Sequence, residues 1–172
     1  MTPRKPRKTD VMNELPALRR YALSLARNAS DAEDLVHDTL VRAIERGATF
    51  RPEGNLRGWL MSILHNLYVD GRRSGASAAA HGQEMAAQAG EALAPNQLDS
   101  VRLAQVRRAF DSLPGEQREA MHLVTIEGLS YDEAAAVLNV PAGTVMSRIS
   151  RGREALRRWE SGPSLRLVKG GE

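Results

Sequence analysis

The apolar residues of this chain recur at intervals of three and four along most of its length, which is the spacing of one face of an α-helix. The first such stripe begins at Val11 and predicts a helix that ends around Arg27 and Asn28. A second helix should follow at once, because Ser30 and Glu33 have the spacing of a capping box. Its predicted buried stripe, up to a stop at Gly47, consists of Val36, Leu40, Ala43 and Ile44.

A third apolar stripe predicts a helix over Leu56–Arg73, after a turn-rich loop at residues 48–55. From residue 74 to about residue 97 the chain consists mainly of alanine, glycine and small polar residues. Such a composition has little to bury, so we predict a flexible linker there. The pattern therefore predicts an all-α protein of two small helical domains. The stripe resumes with Leu98, Leu103, Val106, Phe110 and Leu113.

The clearest local signals lie in the C-terminal part of the chain. Ser130 and Glu133 form a second capping box, at the start of an alanine-rich helix. Asn139 suits the left-handed exit from that helix, and Pro141 suits the opening of the next one. With a preceding helix at residues 116–126, these signals make the C-terminal domain a four-helix unit that contains a helix-turn-helix.

The second helix of this motif has two different faces. An apolar stripe that should pack against the domain consists of Val145, Ile149, Gly152 and Leu156. The opposite face carries Ser147, Ser150, Arg151 and Glu154, and it is flanked by Arg148 and Arg153. On such a helix central side chains reach base edges in the major groove, while lateral cations touch phosphates. This arrangement indicates a DNA-reading helix rather than a merely solvated amphipathic one.

The formal net charge is only +3, but the placement of charge matters more than its sum. The predicted reading helix has a single acid, Glu154, among Arg148, Arg151, Arg153, Arg157 and Arg158. This concentration is a local nucleic-acid footprint.

The composition excludes several other kinds of site. The chain has no cysteine, which rules out a disulfide framework and a thiolate metal site. No partner at metal-ligand spacing accompanies the histidines, so we expect no metal and no cofactor. These histidines are His37, His65, His81 and His122. No nucleophile, base and orienting group occur together, so we expect no enzyme. Because no apolar run approaches membrane-spanning length, we expect a soluble, cytoplasmic protein.

The first two turns of the second helix are rich in acids. Carboxylates suit a helix N-terminus, but there are more of them here than the helix dipole needs. They indicate either an acidic docking surface or a solubilising, dipole-matched helix end. The acids are Asp31, Glu33, Asp34 and Asp38.

The loop before the third helix and that helix itself combine aromatic, amide and cationic side chains. This is the set that holds an unstacked nucleic-acid strand, with planes for stacking, amides for base edges and cations for phosphates. Trp59 fits a core anchor better than a stacking platform. The other members are Phe50, Arg51, Asn55, Arg57, His65, Asn66, Arg72 and Arg73.

These features divide the chain into five predicted segments. The two folded domains are predicted at residues 10–73 and 98–160, joined by the linker at 74–97. A disordered basic arm at residues 1–9 precedes them, and a frayed tail at 161–172 follows them.

Both halves of the chain resemble a bacterial RNA polymerase sigma factor of the extracytoplasmic-function type, within the sigma-70 family. The segment DAEDLVHDTLVRA is similar to the part of such factors that docks on the clamp coiled coil of polymerase. The segment NLRGWLMSILHNLYVDGRR resembles the part that melts and captures the −10 promoter element. The segment from LPGEQREAMHLV to RGREAL resembles the domain that reads the −35 element and contacts the polymerase flap.

The resemblance implies roles for particular residues. The polymerase-docking face would consist of Asp34, His37 and Asp38, with Asp31 and Glu33 nearby. The −10 element would be held by Phe50, Arg51, Asn55, Arg57 and Asn66, with Arg72 and Arg73. The −35 element would be contacted by Thr144, Ser147, Ser150, Arg151 and Arg153, with Arg148 on a phosphate. Met146 departs from the family, because many relatives carry a basic residue there.

The resemblance further implies an alternative sigma factor that is a monomer when free and takes part in stress responses. It would bind polymerase core and promoter DNA, and an anti-sigma protein would hold it inactive. Two rival functions remain open at the level of sequence. One is a mimic that sequesters an anti-sigma factor, and the other is a stand-alone helix-turn-helix regulator.

Overall fold

The computed structural model describes residues 6–51, 53–78 and 97–161. These residues form an all-helical protein, as the apolar spacing predicts. The N-terminal helices are α1 (Lys8–Asn13), α2 (Leu15–Ala26), α3 (Ala29–Glu45) and α4 (Leu56–Ala78), with a 3-10 turn at Gly47–Thr49. The C-terminal helices are α5 (Gln97–Asp111), α6 (Gly115–Met121), a π-helix (His122–Ile126), α7 (Tyr131–Leu138) and α8 (Ala142–Glu160).

The N-terminal domain is a bundle in which α3 and α4 pack on α2. Its centre consists of side chains with no exposed surface: Leu18, Tyr21, Leu60, Met61 and Leu64. Each such apolar side chain stabilises the domain by roughly 1.5–3 kcal/mol relative to an exposed position.

The first predicted helix is divided into two. The short helix α1 ends at Asn13, and α2 begins at Leu15 with a proline in its first turn. Proline fits there because the first turn of a helix needs no backbone N–H donor. The predicted end is confirmed, since Arg27 takes the left-handed conformation with φ 63°.

The prediction for the start and the buried stripe of α3 is partly wrong. The N-cap is Asn28, whose side-chain oxygen accepts from the backbone N–H of Asp31 at 2.8 Å, so Ser30 lies inside the helix and forms no cap. Ile44 is not buried but 76 % exposed. Thr39 is buried instead, because its hydroxyl donates to the Leu35 carbonyl at 2.7 Å and leaves no unpaired donor in the core.

The helix ends extend beyond the predicted domain boundaries. The helix α1 begins at Lys8, inside the predicted basic arm, and α4 continues to Ala78, inside the predicted linker. The rest of the predicted arm, linker and tail, at residues 1–5, 79–96 and 162–172, lies outside the described residues.

The C-terminal domain packs α6 and α7 against α8. Its buried side chains include Leu123, Val137, Val145 and Ile149. The predicted close approach at Gly152 is confirmed, since a Cβ there would collide with the sulfur of Met121. The apolar stripe of α5 is only partly buried, because Leu103 and Val106 are exposed whereas Ala109 and Leu113 are covered.

The two domains also pack against each other. The helix α4 lies against α7, and α2 lies against α6 and the π-helix. The rings of Tyr21 on α2 and His122 on the π-helix are 5.4 Å apart. The loop and first turn of α4 therefore face the C-terminal domain.

Candidate nucleic-acid and protein interfaces

The turn that presents α8 is built as the sequence predicts. The Ser130 hydroxyl accepts from the N–H of Glu133 at 3.2 Å, and the Glu133 carboxylate accepts from the N–H of Ser130 at 2.8 Å. Asn139 ends α7 in the left-handed conformation with φ 53°. The hydrogen bond from the Ser130 backbone, followed by one from Asn55, lowers the pKa of the Glu133 carboxyl. The capping carboxylate is therefore charged at neutral pH.

The helix α8 buries one face and exposes the other. Val145, Ile149 and Gly152 are buried, and Leu156 is half-buried. The predicted reading residues on the outer face are exposed, except that Thr144 is half-buried. The exposed ones are Ser147, Ser150, Arg151 and Arg153, together with Met146.

The hydroxyl of Ser147 donates to the carbonyl of Thr144 at 2.9 Å. This bond takes up the one hydroxyl proton of Ser147 and leaves the oxygen as an acceptor. Ser147 is therefore prepared to accept a hydrogen bond from an incoming donor, such as the exocyclic amine of cytosine or adenine.

Arg148 differs from the other arginines of α8. Its side chain is only 16 % exposed, and its guanidinium lies 3.1 Å from the carboxylate of Glu116 on α6. The position follows from the helix wheel, which places Arg148 beside the buried stripe. To bind a DNA phosphate, the Arg148 guanidinium would have to release the Glu116 carboxylate or bind both groups at once.

The outer face of α8 is strongly basic. Glu154 lies 3.9 Å from Arg158, and both side chains are largely exposed. Such a solvated pair neutralises little charge. The remaining cations of this face, Arg151, Arg153 and Arg157, are also exposed. This face can attract a polyanion over about three helical turns.

The acids of α3 lie on an exposed face, as a docking surface requires. Asp31, Glu33, Asp34, His37 and Asp38 are all exposed. Glu33 forms an ion pair with Arg19 at 3.0 Å in which both side chains are more than half exposed. The other three carboxylates have no ion pair among the described residues.

Sequence reasoning missed two apolar members of this face. Val41 is 44 % exposed and Ile44 is 76 % exposed, and both share the outer side of α3 with Asp34 and His37. Exposed aliphatic residues among acids are typical of a protein-binding surface rather than of a solubilising one. The signal was available, because Val41 stands seven residues after Asp34 and thus on the same face.

The loop before α4 holds its predicted residues in different environments. Phe50 is buried and packs against Trp59, with ring centroids 5.3 Å apart and planes inclined at 55°. Trp59 is half-buried, which agrees with a core anchor. The two rings therefore support the loop from beneath, and Phe50 offers no free face for stacking in this conformation.

The polar residues of the loop and α4 form two sets. Asn55 and Arg57 bond to the C-terminal domain, at Glu133 and at the Glu127 carbonyl. By contrast, Arg51, Asn66, Arg72 and Arg73 are exposed. Arg72 lies over the ring of Tyr68 at 5.8 Å, which orients it along α4.

His65 belongs to the core rather than to a nucleic-acid surface. Its Nδ1 lies 3.0 Å from the hydroxyl of Tyr21, which is fully buried. Burial, with the charge of Arg148 adding to it, lowers the pKa of His65, and burial raises the pKa of Tyr21. The tyrosine is therefore the donor and the neutral imidazole the acceptor.

Glu127, which the sequence did not single out, is the most enclosed carboxylate of the described chain. Its side chain has 0 % exposure, and its partners are Arg20 at 2.8 Å and His122 at 3.1 Å. Burial acts to raise the pKa of Glu127, but the hydrogen bonds and charges of His122 and Arg20 outweigh it, so that the pKa is lowered. A charged carboxylate thus sits between the two domains.

No helix in the described residues is both long enough and apolar enough to cross a membrane. In the same part of the chain no group of histidines and carboxylates could hold a metal ion.

Comparisons with known proteins agree with this geometry. Residues 11–77 match the family model for sigma-70 region 2, and residues 103–156 match that for sigma-70 region 4. The chain is 38% identical over 152 residues to the ECF RNA polymerase sigma factor EcfG of Rhodopseudomonas palustris, covering 86% of this chain and 81% of that protein. It is 42% identical over 142 residues to SigE of Mycolicibacterium smegmatis, covering 80% of this chain and 55% of that protein.

A similar solved structure is the sigma factor RpoE of Bartonella quintana, in complex with the anti-sigma factor NepR. The two share 36% identity and a TM-score of 0.73 over 89% of this chain and 95% of the other. The two matched regions define a sigma factor of the sigma-70 family, with region 2 in the first domain and region 4 in the helix-turn-helix domain. The chain belongs to the ECF RNA polymerase sigma factors, which are transcription factors rather than enzymes.

Proposed function

We propose that this sigma factor binds polymerase core as a monomer and selects promoters with two readers, α8 for the −35 element and the loop and face of α4 for the −10 element. The observation that carries the proposal is the outer face of α8. The arginines of this face are exposed, and the opposite face of α8 is buried in the domain. The helix before α8 is capped at both ends, which fixes the turn that leads into α8. A helix held in this way can enter a major groove without rearrangement.

The outer face of α3 supports a docking role on polymerase. Its exposed carboxylates surround Val41 and Ile44. The acids would steer the chain towards a basic partner, and burial of the two aliphatic side chains would supply binding energy. We assign this face to the clamp coiled coil and the C-terminal domain to the flap.

The −10 reader requires a change in the loop. Arg51, Asn66, Arg72 and Arg73 are already exposed and suit phosphates and base edges. Asn55 and Arg57 must first leave the C-terminal domain. Phe50 would serve as a support of the loop rather than as its stacking plane, unless the loop opens.

Two weak readers act as one strong reader when both are mounted on polymerase. Each reader then meets its DNA element at a high effective concentration, so the spacing of the elements becomes part of the specificity. Opening the DNA needs binding energy for an extruded base and no catalytic group of this chain. We place this activity in the cytoplasm, with polymerase and promoter DNA.

We also infer that an anti-sigma protein restrains this chain. The similar structure of RpoE was solved with such an inhibitor, NepR. Here Leu103 and Val106 on α5 expose apolar surface, as Val41 and Ile44 do on α3. An amphipathic inhibitor helix would cover surface of this kind.

Transcription in vitro with core polymerase, with and without this protein, on a library of genomic fragments tests the proposal. We expect start sites that appear only in its presence and share two elements at a fixed spacing. A matched chain with Asp38→Arg should lose these start sites through loss of polymerase binding. If no protein-dependent start site appears although the chain binds core, the sigma function is wrong and the mimic becomes the better account.

A further inference from the structure

The outer face of α8 carries a single sulfur atom, that of Met146. Its side chain is 51 % exposed and immediately precedes Ser147. Ser150 and Arg153 lie on the same side of the helix, four and seven residues further on, and both are exposed. The groups proposed to read the −35 element therefore surround an accessible thioether.

The exposure of this thioether has a local cause. Side chains on a helix lean towards its N-terminus, over the residues three and four positions before them. The residue three positions before Met146 is Gly143, which is exposed and has no side chain. A Cβ placed on Gly143 would meet nothing within 4 Å. The space before Met146 is therefore open to solvent and to small molecules.

The other methionines of the described chain differ from Met146 in burial or in place. Met61 and Met121 are 0 % and 4 % exposed, so the core shields their sulfur atoms. Met12 is as exposed as Met146, but it lies on α1, outside the proposed readers. The sequence also has no cysteine, so no thiol of this chain reacts with an oxidant ahead of methionine.

An exposed thioether can accept an oxygen atom from a peroxide. A lone pair of the sulfur attacks one peroxide oxygen, the O–O bond breaks as the S–O bond forms, and hydroxide leaves. The hydroxide takes the proton of the transferred oxygen and becomes water. The sulfur is oxidised by two electrons to the sulfoxide, and the peroxide is reduced by the same two electrons.

The product has a different chemistry on the DNA-facing side. A thioether is apolar and suits contact with a thymine methyl group, whereas a sulfoxide carries a strongly polar oxygen that water solvates. In the major groove that oxygen would lose its water and face an apolar methyl group. Desolvation of an unpaired polar group of this kind weakens binding by about 5- to 150-fold.

We propose that Met146 is an oxidation site for peroxides, and that its conversion to the sulfoxide weakens the reading of the −35 element. The second half of this inference rests on the proposed function of α8. Because reductases return both sulfoxide epimers to methionine, the modification is a reversible control on promoter choice. The sulfoxide is uncharged, so the attraction of the α8 arginines to phosphates persists.

The site itself is tested by peptide mass spectrometry on the full chain. The purified protein is treated with hydrogen peroxide, and catalase removes the peroxide before digestion. Met146 and Met12 should gain one oxygen atom at similar rates, and Met61 and Met121 should gain it much more slowly. If Met146 stays reduced under conditions that oxidise Met12, the site is wrong.

The consequence is tested by DNA binding after treatment. The treated chain is added to untreated core polymerase, with promoter DNA whose −35 element is intact or scrambled. Oxidation should weaken binding to the intact promoter by about 5- to 150-fold, with an unchanged slope of log K against log salt, because no charge is lost. The scrambled promoter should show little change. Treatment with both classes of methionine sulfoxide reductase should restore binding.

Variants at the two exposed methionines assign the effect. Met12→Leu is the matched control and should lose binding on treatment as the unchanged chain does. Met146→Leu, compared with itself before treatment, should be insensitive to peroxide, although every other methionine is still present. Met146→Gln places a polar amide of similar length there and should bind weakly without any peroxide. Circular dichroism should show that each variant and the oxidised chain remain folded.

The outcomes separate the oxidation site from the sigma function. Full oxidation of Met146 with unchanged promoter binding overturns the proposed control. An equal loss of binding in treated Met146→Leu also overturns it, because another group then causes the effect. If the untreated chain on core polymerase shows no preference for the intact −35 element, the proposed function is contradicted, whereas oxidation of Met146 is still decided by its mass.

Discussion

Replacement of Arg151 by alanine tests the reading helix most sharply. Arg151 is exposed on the outer face of α8, and among the described residues its guanidinium has no ion pair or hydrogen bond. Truncation therefore breaks no internal bond, and the stability of the free chain should change by less than about 0.5 kcal/mol. Any loss of promoter use then comes from lost contact with DNA.

The size of the loss follows from the kind of contact. A bidentate pair between arginine and a guanine edge contributes about 1–3 kcal/mol of discrimination, so Arg151→Ala should weaken promoter binding roughly 5- to 150-fold. Arg148→Ala should behave differently, because it also removes the pair with Glu116 at 3.1 Å and should lower the melting temperature as well. Comparison of the two variants separates reading from support.

Binding of the polymerase complex to promoter DNA at several salt concentrations is the assay. A base contact should relax preference at one base pair of the −35 element and leave the salt dependence nearly unchanged. A phosphate contact should instead reduce the slope of log K against log salt by about 0.9. Arg107→Ala, at an exposed arginine of α5, is the control. Unchanged transcription from every cognate promoter would remove Arg151 from the reader.

Asp38→Arg should reduce binding to core polymerase at least tenfold in a pull-down, because it reverses the charge at the centre of an acidic face. Asp70→Arg on α4 is the control and should bind as the unchanged chain does. If core polymerase retains the two variants equally, the docking face is contradicted. Met146 is 51% exposed beside the reading residues and should contact a thymine methyl group. Replacement of that thymine by uracil should then weaken DNA binding by the unchanged chain but not by Met146→Ala. If the losses from the two changes add, the contact is refuted. Gly152→Ala should destabilise the C-terminal domain by about 1–3 kcal/mol in thermal unfolding because its Cβ would meet Met121, and an unchanged midpoint would contradict this packing. Burial lowers the pKa of His65 below 6.5, so stability should be fully present above that pH and should decline as the pH falls through the lowered pKa; a midpoint that does not change from about pH 7.5 to pH 5 would contradict it.

Local signals predicted the reading motif well because its chemistry is local. The capping box of Ser130 and Glu133 and the left-handed Asn139 depend on residues at most four positions apart, so the sequence contains all the information. The close approach of a neighbouring helix at Gly152 is similarly implied by the apolar stripe of α8, and the structure shows that the neighbour is Met121. The acids of α3 were found in the same way.

Predictions failed where a residue could satisfy two local rules equally well. Ser30 and Asn28 are both good cap residues, and in the structure Asn28 caps α3. Ile44 is apolar and next to the predicted stripe, yet the bundle buries Thr39 because its hydroxyl finds a carbonyl on its own helix. The periodicity of apolar residues predicts the spacing of a buried face, but it does not determine which residues at the edge of that face are buried.

By itself the sequence determined the helical class, the two-domain division, the helix-turn-helix and the family. Each of these depends on short spacings and on residue types at neighbouring positions. Only the tertiary structure decided that Phe50 lies beneath its loop, that Arg148 pairs with Glu116, and that Arg20 and Arg57 meet Glu127. These partners are far apart in the chain. Local sequence patterns do not indicate which distant acid an arginine will pair with, so the fold alone determines these contacts.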